Sequence, residues 1–378
     1  MTSLLFFTAF LGIFALLNMY ISKRFIQKLN VSVKVQVFMR FFLVLNFLGI
    51  IFYILGRYYI EYPHWLYFLL SLPVGILFLL FCVAVMYDVS RVFLNSIPMS
   101  DGRRGFFKKS LDLSGLVLAT SLSARAIYEA RHLVLEKVEV QIKNLHRSYT
   151  IAQISDVHIG GLINVEFIES MVNKVNLIKP DVVVITGDLI DISLDKAQPS
   201  LLKLKNLESK YGTFFILGNH EYFHGVEGII TYVKSLGIRV LENENIYIGD
   251  EGRGFNLAGV YDVMGYRTQT YIPDLQQALR EKKDAPTVLL AHQPRFIEEV
   301  KSGVDLMLSG HTHGGQIYPF HFLVKLIQPY ISGLHQHNKD LQIYVNKGTG
   351  FWGPPMRLGA SSEITEIVLS PNQTLSKI

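Results

Sequence analysis

Two textures divide the chain. Up to about residue 90 apolar residues come in long runs such as LLFFTAFLGIFALL and LYFLLSLPVGILFLLF, with no polar face recurring at helical period. Three such stretches, Leu4–Ile21, about Val37–Gly56 and His64–Tyr87, are predicted to cross a membrane, because each is near the roughly 20 apolar residues that a crossing needs. A buried helix of a water-soluble core would alternate apolar and polar faces. Pro73 does not interrupt the third stretch, since spanning helices tolerate proline. A weaker, serine-rich stretch at about 111–128 is the fourth expected crossing.

From about Val134 the pattern becomes short β-branched runs alternating with amphipathic segments. YTIAQIS, DVVVITG, TFFILG, TVLLAH and DLMLSG read as continuous apolar strands, the signature of a sheet covered on both faces. Between the first two, Ile168, Met171, Val172, Val175 and Ile178 fall on one helical face, and Asn164 is placed to cap it. GIITYVKSLG and RFIEEVKSG are also predicted helices ending at glycine. The expected organisation is an all-helical transmembrane region over residues 1–130 and an α/β domain over 131–378, without internal repeats.

Charge follows the same division. Residues 1–110 carry a net +8 against +5 for the whole chain, leaving −3 for residues 111–378. The positive charge therefore flanks apolar runs, and no nucleic-acid partner is expected of the acidic half. Lys23, Arg24, Lys28 and Lys34 follow the first crossing; Arg103, Arg104, Lys108 and Lys109 follow the third. Basic loops stay cytoplasmic, which puts the amino terminus outside and, if 111–128 crosses, the α/β domain on the outer face of a bacterial cytoplasmic membrane. RRGFFKK (Arg103 to Lys109) also resembles a twin-arginine export signal. The single cysteine, Cys82, lies within the third crossing and excludes a disulfide framework or thiolate metal site within one chain.

The candidate chemistry sits where the strands end. Asp156 and His158 follow the first strand, Asp188 the second, Asn219 and His220 the third, His292 the fourth, and His311 and His313 the fifth. Sites in open α/β sheets gather at carboxyl ends of strands, so two Asp, one Asn and five His converge. Carboxylate, imidazole and amide donors without sulfur suit first-row divalent ions such as Mn, Fe or Zn. A carboxylate with two oxygens can bridge two such ions.

Asp-x-His, Gly-Asp, Gly-Asn-His-Glu, a lone His and Gly-His-x-His, in this order, resemble the calcineurin-like metallophosphoesterase family over about residues 148–368. The segment YVNKGTGFWGPPMRLGASSEITEIVL resembles its membrane-anchored bacterial branch, which includes phosphodiesterases acting on nucleotide-linked lipid A precursors. The resemblance implies a sandwich of two sheets flanked by helices, and phosphoester hydrolysis by a water activated between two divalent ions. Residue by residue it implies Asp156, His158, Asp188 and His313 on one ion, and Asp188, Asn219, His292 and His311 on the other. His220 is left off the metals as the catalytic acid, and Glu221 is expected to orient a ligand imidazole. No ligand position departs from the family pattern.

Several residues carry weaker expectations. Arg357 and His224 are possible substrate contacts, Asp262 a substrate-loop residue, and His335 and His337 a surface loop. GTGFWG runs into Pro354-Pro355 instead of a helix, which excludes a dinucleotide fingerprint. Phe351 and Trp352 could pack internally or meet acyl chains. The expected partners are the bilayer and a phosphorylated lipid or small phosphoester. The rival readings are a nucleotide phosphoesterase with a soluble substrate, and a non-enzymatic sensor or transporter with a phosphoesterase-like binding module.

Overall fold

The computed structural model describes residues 2–372. Its contacts define two compact units: one reaching to Tyr128 and including Gly353–Leu358, the other formed by Glu129–Trp352 and the chain from Gly359 onward.

The first unit contains α1 (Thr2–Tyr20), α2 (Val33–Tyr58), α3 (His64–Ser96) and α4 (Asp101–Arg131). Among the described residues, the helical stretches Phe7–Lys28, Val33–Tyr58 and His64–Ser96 are long and apolar enough to cross a membrane. Gly49 lets α2 approach α3, since a Cβ there would stand 2.8 Å from Pro73 Cγ. Charge within these helices is paired: Asp88 of α3 meets Arg24 at 2.5 Å and Lys28 at 2.7 Å. The fourth expected crossing lies within α4, which is not among the stretches that meet that measure of apolarity. Its buried Asp112 accepts from the Tyr87 hydroxyl at 2.6 Å and from Asn30 N–H at 2.9 Å.

The second unit is a two-sheet sandwich. Its strands are β1 (Val134–Ile142), β2 (Tyr149–Ile154), β3 (Val182–Thr186), β4 (Thr213–Ile216), β5 (Arg239–Val240), β6 (Glu244–Ile248), β7 (Phe255–Gly259), β8 (Thr287–Leu290), β9 (Leu306–Ser309), β10 (Gly333–Gln336), β11 (Gln342–Val345) and β12 (Glu363–Pro371). One sheet runs β1-β12-β2-β3-β4-β5, the other β10-β11-β9-β8-β7-β6. Strands β2 to β5 are parallel to one another, as are β7, β8, β9 and β11.

Period-two alternation explains the continuous apolar runs. In β3, Val182 and Val184 enter the core between the sheets, where Phe214, Leu257, Val288 and Leu308 also pack. Val183 and Ile185 point the other way, into a second core with helices α5 (Val165–Ile178), α6 (Leu194–Leu201) and α8 (Val226–Ser235). The short α7 (Glu221–His224) lies between β4 and α8. As expected, Asn164 caps α5 by accepting from Phe167 N–H at 3.2 Å, and Ile168, Met171, Val172 and Val175 are buried.

RFIEEVKSG departs from its expected helix. Only a 3₁₀ turn forms, Pro294–Glu299, and Val300 is extended. Phe296, Ile297, Val300 and Val304 are all buried against the second sheet, so spacing that imitates a helical stripe serves a turn folded onto a core.

Candidate metal centre

Both sheets deliver the predicted residues from the carboxyl ends of parallel strands: β2, β3 and β4 from one, β8 and β9 from the other. The loops carrying them are laced together. Asp156 N–H donates to Gly187 O, and His158 N–H to Asp188 O, both at 3.0 Å. His311 N–H donates to both Asp156 oxygens, at 2.9 and 2.8 Å. Gly310 allows this approach: any side chain there would collide with Ser155 Oγ and Asp156 Oδ2. Asp156, His158, Asp188, His311 and His313 all hold left-handed backbone, with φ of 52°, 54°, 52°, 71° and 49°. Outside glycine this region is sparsely populated, and clusters of it mark sites that their surroundings over-determine.

Ligand atoms of Asp156, His158 and His313 lie within 4.8 Å of one another, and so do those of Asp188, His292 and His311. His158 Nε2 faces His313 Nε2 at 2.9 Å. Two imidazoles on one ion, each at about 2.0–2.1 Å, place their nitrogens roughly 3 Å apart. Facing ring nitrogens also share at most one proton, so a cation between them suits the pair. Asp188 Oδ2 lies 3.2 Å from His292 Nε2 and 3.9 Å from His158 Nε2, between the two groups. Its other oxygen accepts from His220 N–H at 2.8 Å. Asn219 Oδ1 is 3.2 Å from His292 Nε2. The donor set thus fits two first-row divalent ions with Asp188 at the bridge position.

The imidazoles are oriented from behind. His292 Nδ1 lies 2.7 Å from Thr186 O, which fixes the proton there and leaves Nε2 as the free donor atom. Asp191 was not singled out in the sequence, yet it is central: its Oδ1 lies 2.8 Å from His158 Nδ1 and 2.6 Å from His220 Nδ1. It stands three residues beyond Asp188 in GDLID, and that spacing was the available signal.

Glu221 corrects an expectation. It touches no imidazole among its hydrogen bonds; its carboxylate instead accepts from the N–H groups of Gly218 (2.6 Å), Leu189 (2.7 Å), Asp188 (3.0 Å) and Ile190 (3.3 Å). It is a buried clip joining the turns after β3 and β4. Burial and the neighbouring Asp188 charge push its pKa up against those donors.

The charges divide sharply. Burial opposes ionisation of Asp188, but His292 and His220 hold it well below the usual carboxylate range. Asp191 behaves likewise through His158 and His220. Burial works against a charged His220, yet Asp188 and Asp191 prevail and push it up to about 9. His311 is pulled down to about 3 by burial and the His292 charge.

The weaker expectations separate. His224 ends α7, half-buried and outside the three clusters of potential ligands. Arg357 is fully buried, groups with the first unit, and donates its N–H to Ala126 O at 2.8 Å. His335 lies on β10 and His337 just past it, their ring nitrogens near Ser332 O and the Tyr330 hydroxyl. Phe351 packs into a core, whereas Trp352 is half exposed, its ring 6.2 Å from that of His220. Asp262 is buried near the centre; its Oδ1 accepts from Met264 N–H at 2.7 Å and Gln293 Nε2 at 3.0 Å.

The calcineurin-like phosphoesterase profile matches residues 149–315. An uncharacterized metallophosphoesterase of Helicobacter pylori is 38% identical over 314 residues, covering 82% of this chain and 84% of its own. Another, from Campylobacter jejuni, is 36% identical over 374 residues, covering 96% and 98%. A Bos taurus transmembrane protein with metallophosphoesterase domain is 36% identical over 248 residues, 61% of this chain and 56% of its own. This chain belongs to the calcineurin-like metallophosphoesterase family. It is a phosphoester hydrolase of that dimetal-dependent family, and three apolar helices near its amino terminus associate it with a membrane.

Proposed function

We propose that the protein is a membrane-anchored phosphodiesterase acting on a phosphorylated lipid or envelope component. The carrying observation is the site itself, two sets of ligand atoms meeting at Asp188 with His220 beside them, in a chain whose amino-terminal helices are apolar enough to cross a bilayer. Asp156, His158, Asp188 and His313 would hold one divalent ion, and Asp188, Asn219, His292 and His311 the other. Mn, Fe and Zn all suit these donors. When bound, the two ions supply the activated water and draw charge from the phosphoryl oxygens.

The chain's own residues do the rest. Thr186 O and Asp191 fix the His292 and His158 rings so that each presents Nε2. His220 donates Nδ1–H to Asp191 and turns Nε2 inward, 3.9 Å from Asp188 Oδ2. That nitrogen carries the proton for the leaving oxygen, a role worth roughly 10²–10⁴-fold.

The catalytic unit is assigned to the outer face of a bacterial cytoplasmic membrane. Basic loops after the first and third crossings stay inside, and α4 is one continuous helix of 31 residues that carries Arg103 and Arg104 in its first turn. At about 1.5 Å per residue, it is longer than the roughly 30 Å hydrocarbon core. Protease should cut the catalytic unit in right-side-out spheroplasts; protection would place it in the cytoplasm.

The activity test uses the full chain in nanodiscs with Mn²⁺ and a panel of monoesters, diesters and pyrophosphates in matched lipid and soluble forms. Preference for a lipid diester is expected. Preference for soluble nucleotides would move the reading to a nucleotide phosphoesterase, and no turnover of any ester would leave a binding module.

A further inference from the structure

Between the Gly-His-Thr-His turn and β10 the chain makes an excursion, YPFHFLVKLIQPY (318–330), that belongs to neither sheet. The helical turn α9 (His321–Val324) lies near its start. Five large apolar side chains here face solvent: Phe320, Phe322 (63% exposed), Leu323 (55%), Leu326 (81%) and Ile327 (69%). Single exposed apolar residues are ordinary, but a contiguous patch marks an interaction surface.

The backbone holds them outward. Successive bonds run from Lys325 N–H to His321 O, Leu326 N–H to Leu323 O, and Ile327 N–H to Val324 O, at 3.0, 3.2 and 3.0 Å. The excursion is fastened at its carboxyl end. Thr312, between the two site histidines, donates its hydroxyl to Ile331 O at 2.6 Å. Buried Gln328 accepts from Arg295 N–H at 3.1 Å and donates to Gln293 at 3.4 Å. Exposed aromatic rings also lie at the catalytic centre itself. Gln316 and Trp352 exchange two hydrogen bonds of 2.9 Å, and Trp352 and Phe223, both exposed, set their rings 6.2 and 5.9 Å from His220.

We propose that this excursion docks into the surface of the bilayer beside the metal centre, so that a lipid phosphate reaches His220 while its acyl chains remain in the membrane. The proposal rests on the membrane reading above. Lys325 is the single Lys, Arg, Asp or Glu within 318–330, a positive charge suited to anionic headgroups. Tyr318 and Trp352, neither of them buried, supply aromatic rings of the kind that favour the headgroup level. Only His132 and Leu133 separate α4 from β1, so the chain runs from the three apolar helices through α4 into the catalytic unit. A partner protein would have to compete with a bilayer always at hand.

The test uses the full chain, with Cys82→Ser removing the native thiol and single cysteines placed by Phe322→Cys, Leu326→Cys or, as a control, exposed Glu251→Cys. Each is nitroxide-labelled in anionic-lipid nanodiscs. Labels at 322 and 326 should collide with oxygen in preference to a water-soluble nickel chelate, and the label at 251 should show the reverse. Water-like accessibility at 322 and 326 overturns the proposal, and so does shielding from both reagents, which indicates a second copy or another protein on the patch. This readout needs no turnover, so failed docking is distinguished from a wrong substrate. In parallel, the triple change Phe322→Ser, Leu326→Ser, Ile327→Ser should lower hydrolysis of a vesicle-borne diester roughly tenfold or more and leave a soluble aryl diester unchanged. Equal rates of the triple variant and wild type on the vesicle substrate would also count against it.

Discussion

Replacing Asp191 by Asn removes one negative charge while keeping an oxygen that can accept from His158 and His220. Both ring nitrogens now sit within 2.8 Å of that carboxylate. A hydrogen bond to a charged group is worth about 1.5–3 kcal/mol against about 0.5–1.5 for a neutral one. The lost difference is about 1–2 kcal/mol, which at about 1.4 kcal/mol per pKa unit lowers His220 by roughly one unit. The metal-free value of about 9 is not the working one, because two nearby cations disfavour the imidazolium; the difference between wild type and variant is the quantity to read. If His220 protonates the leaving group, activity falls as pH rises through its pKa, so the alkaline limb of kcat should shift about one unit lower in the variant. His158 also loses its orienting charge, so metal affinity should weaken roughly 10–100-fold. The profile is therefore measured at saturating Mn²⁺ with an alkyl ester as leaving group. An unmoved alkaline limb, with uniform loss restored by added metal, would show that Asp191 acts through His158 alone.

Asp188→Asn should weaken both metal positions together, since Asp188 lies between the two ligand groups; two ions retained on metal analysis would sink the bridge assignment. His220→Gln should keep metal near wild-type occupancy and slow poor leaving groups by roughly 10²–10⁴-fold, with activated aryl esters affected less. Equal losses on both would remove His220 as the acid. Burial pushes Asp262 up to about 6 in the metal-free protein. Its folded pKa thus exceeds the unfolded value of about 3.9, so its contribution to stability is complete below that value and disappears as pH rises through 6. Relative to Asp262→Asn, metal-free wild type should lose about 2–3 kcal/mol between pH 4 and 6 and then level off; parallel denaturation curves across that range would refute it.

The candidate metal-site residues are legible because five apolar strands end in chemistry-bearing residues, and strand ends converge in this class of fold. Assignment of strands to sheets was not. Val182 to Ile185 are all apolar, so the alternation that sends Val182 and Val184 between the sheets and Val183 and Ile185 outward leaves no trace in the pattern. The pairing of β1 with β12 joins Val134 to Glu363, a contact that no local window records. Asp191 reads as an ordinary loop acid until His158 and His220 are brought to it from other strands. Glu221 misled for a related reason: a carboxylate beside a histidine suggests an imidazole partner, whereas four N–H groups from two neighbouring turns claimed it.

The left-handed backbone at Asp156, His158, Asp188, His311 and His313 also limits how this enzyme can decay in evolution. Asp, Asn and His tolerate such φ values, Gly adopts them freely, and β-branched residues resist them. A lineage released from selection for catalysis but still requiring the domain would drift at these five positions toward Asn and Gly, and away from Val, Ile and Thr. Its descendants would keep the ligand-binding silhouette after losing the reaction. A pseudoenzyme of this architecture should therefore be sought by Asn or Gly at positions 156 and 188, since a β-branched replacement there would cost the domain about 1–3 kcal/mol in backbone strain.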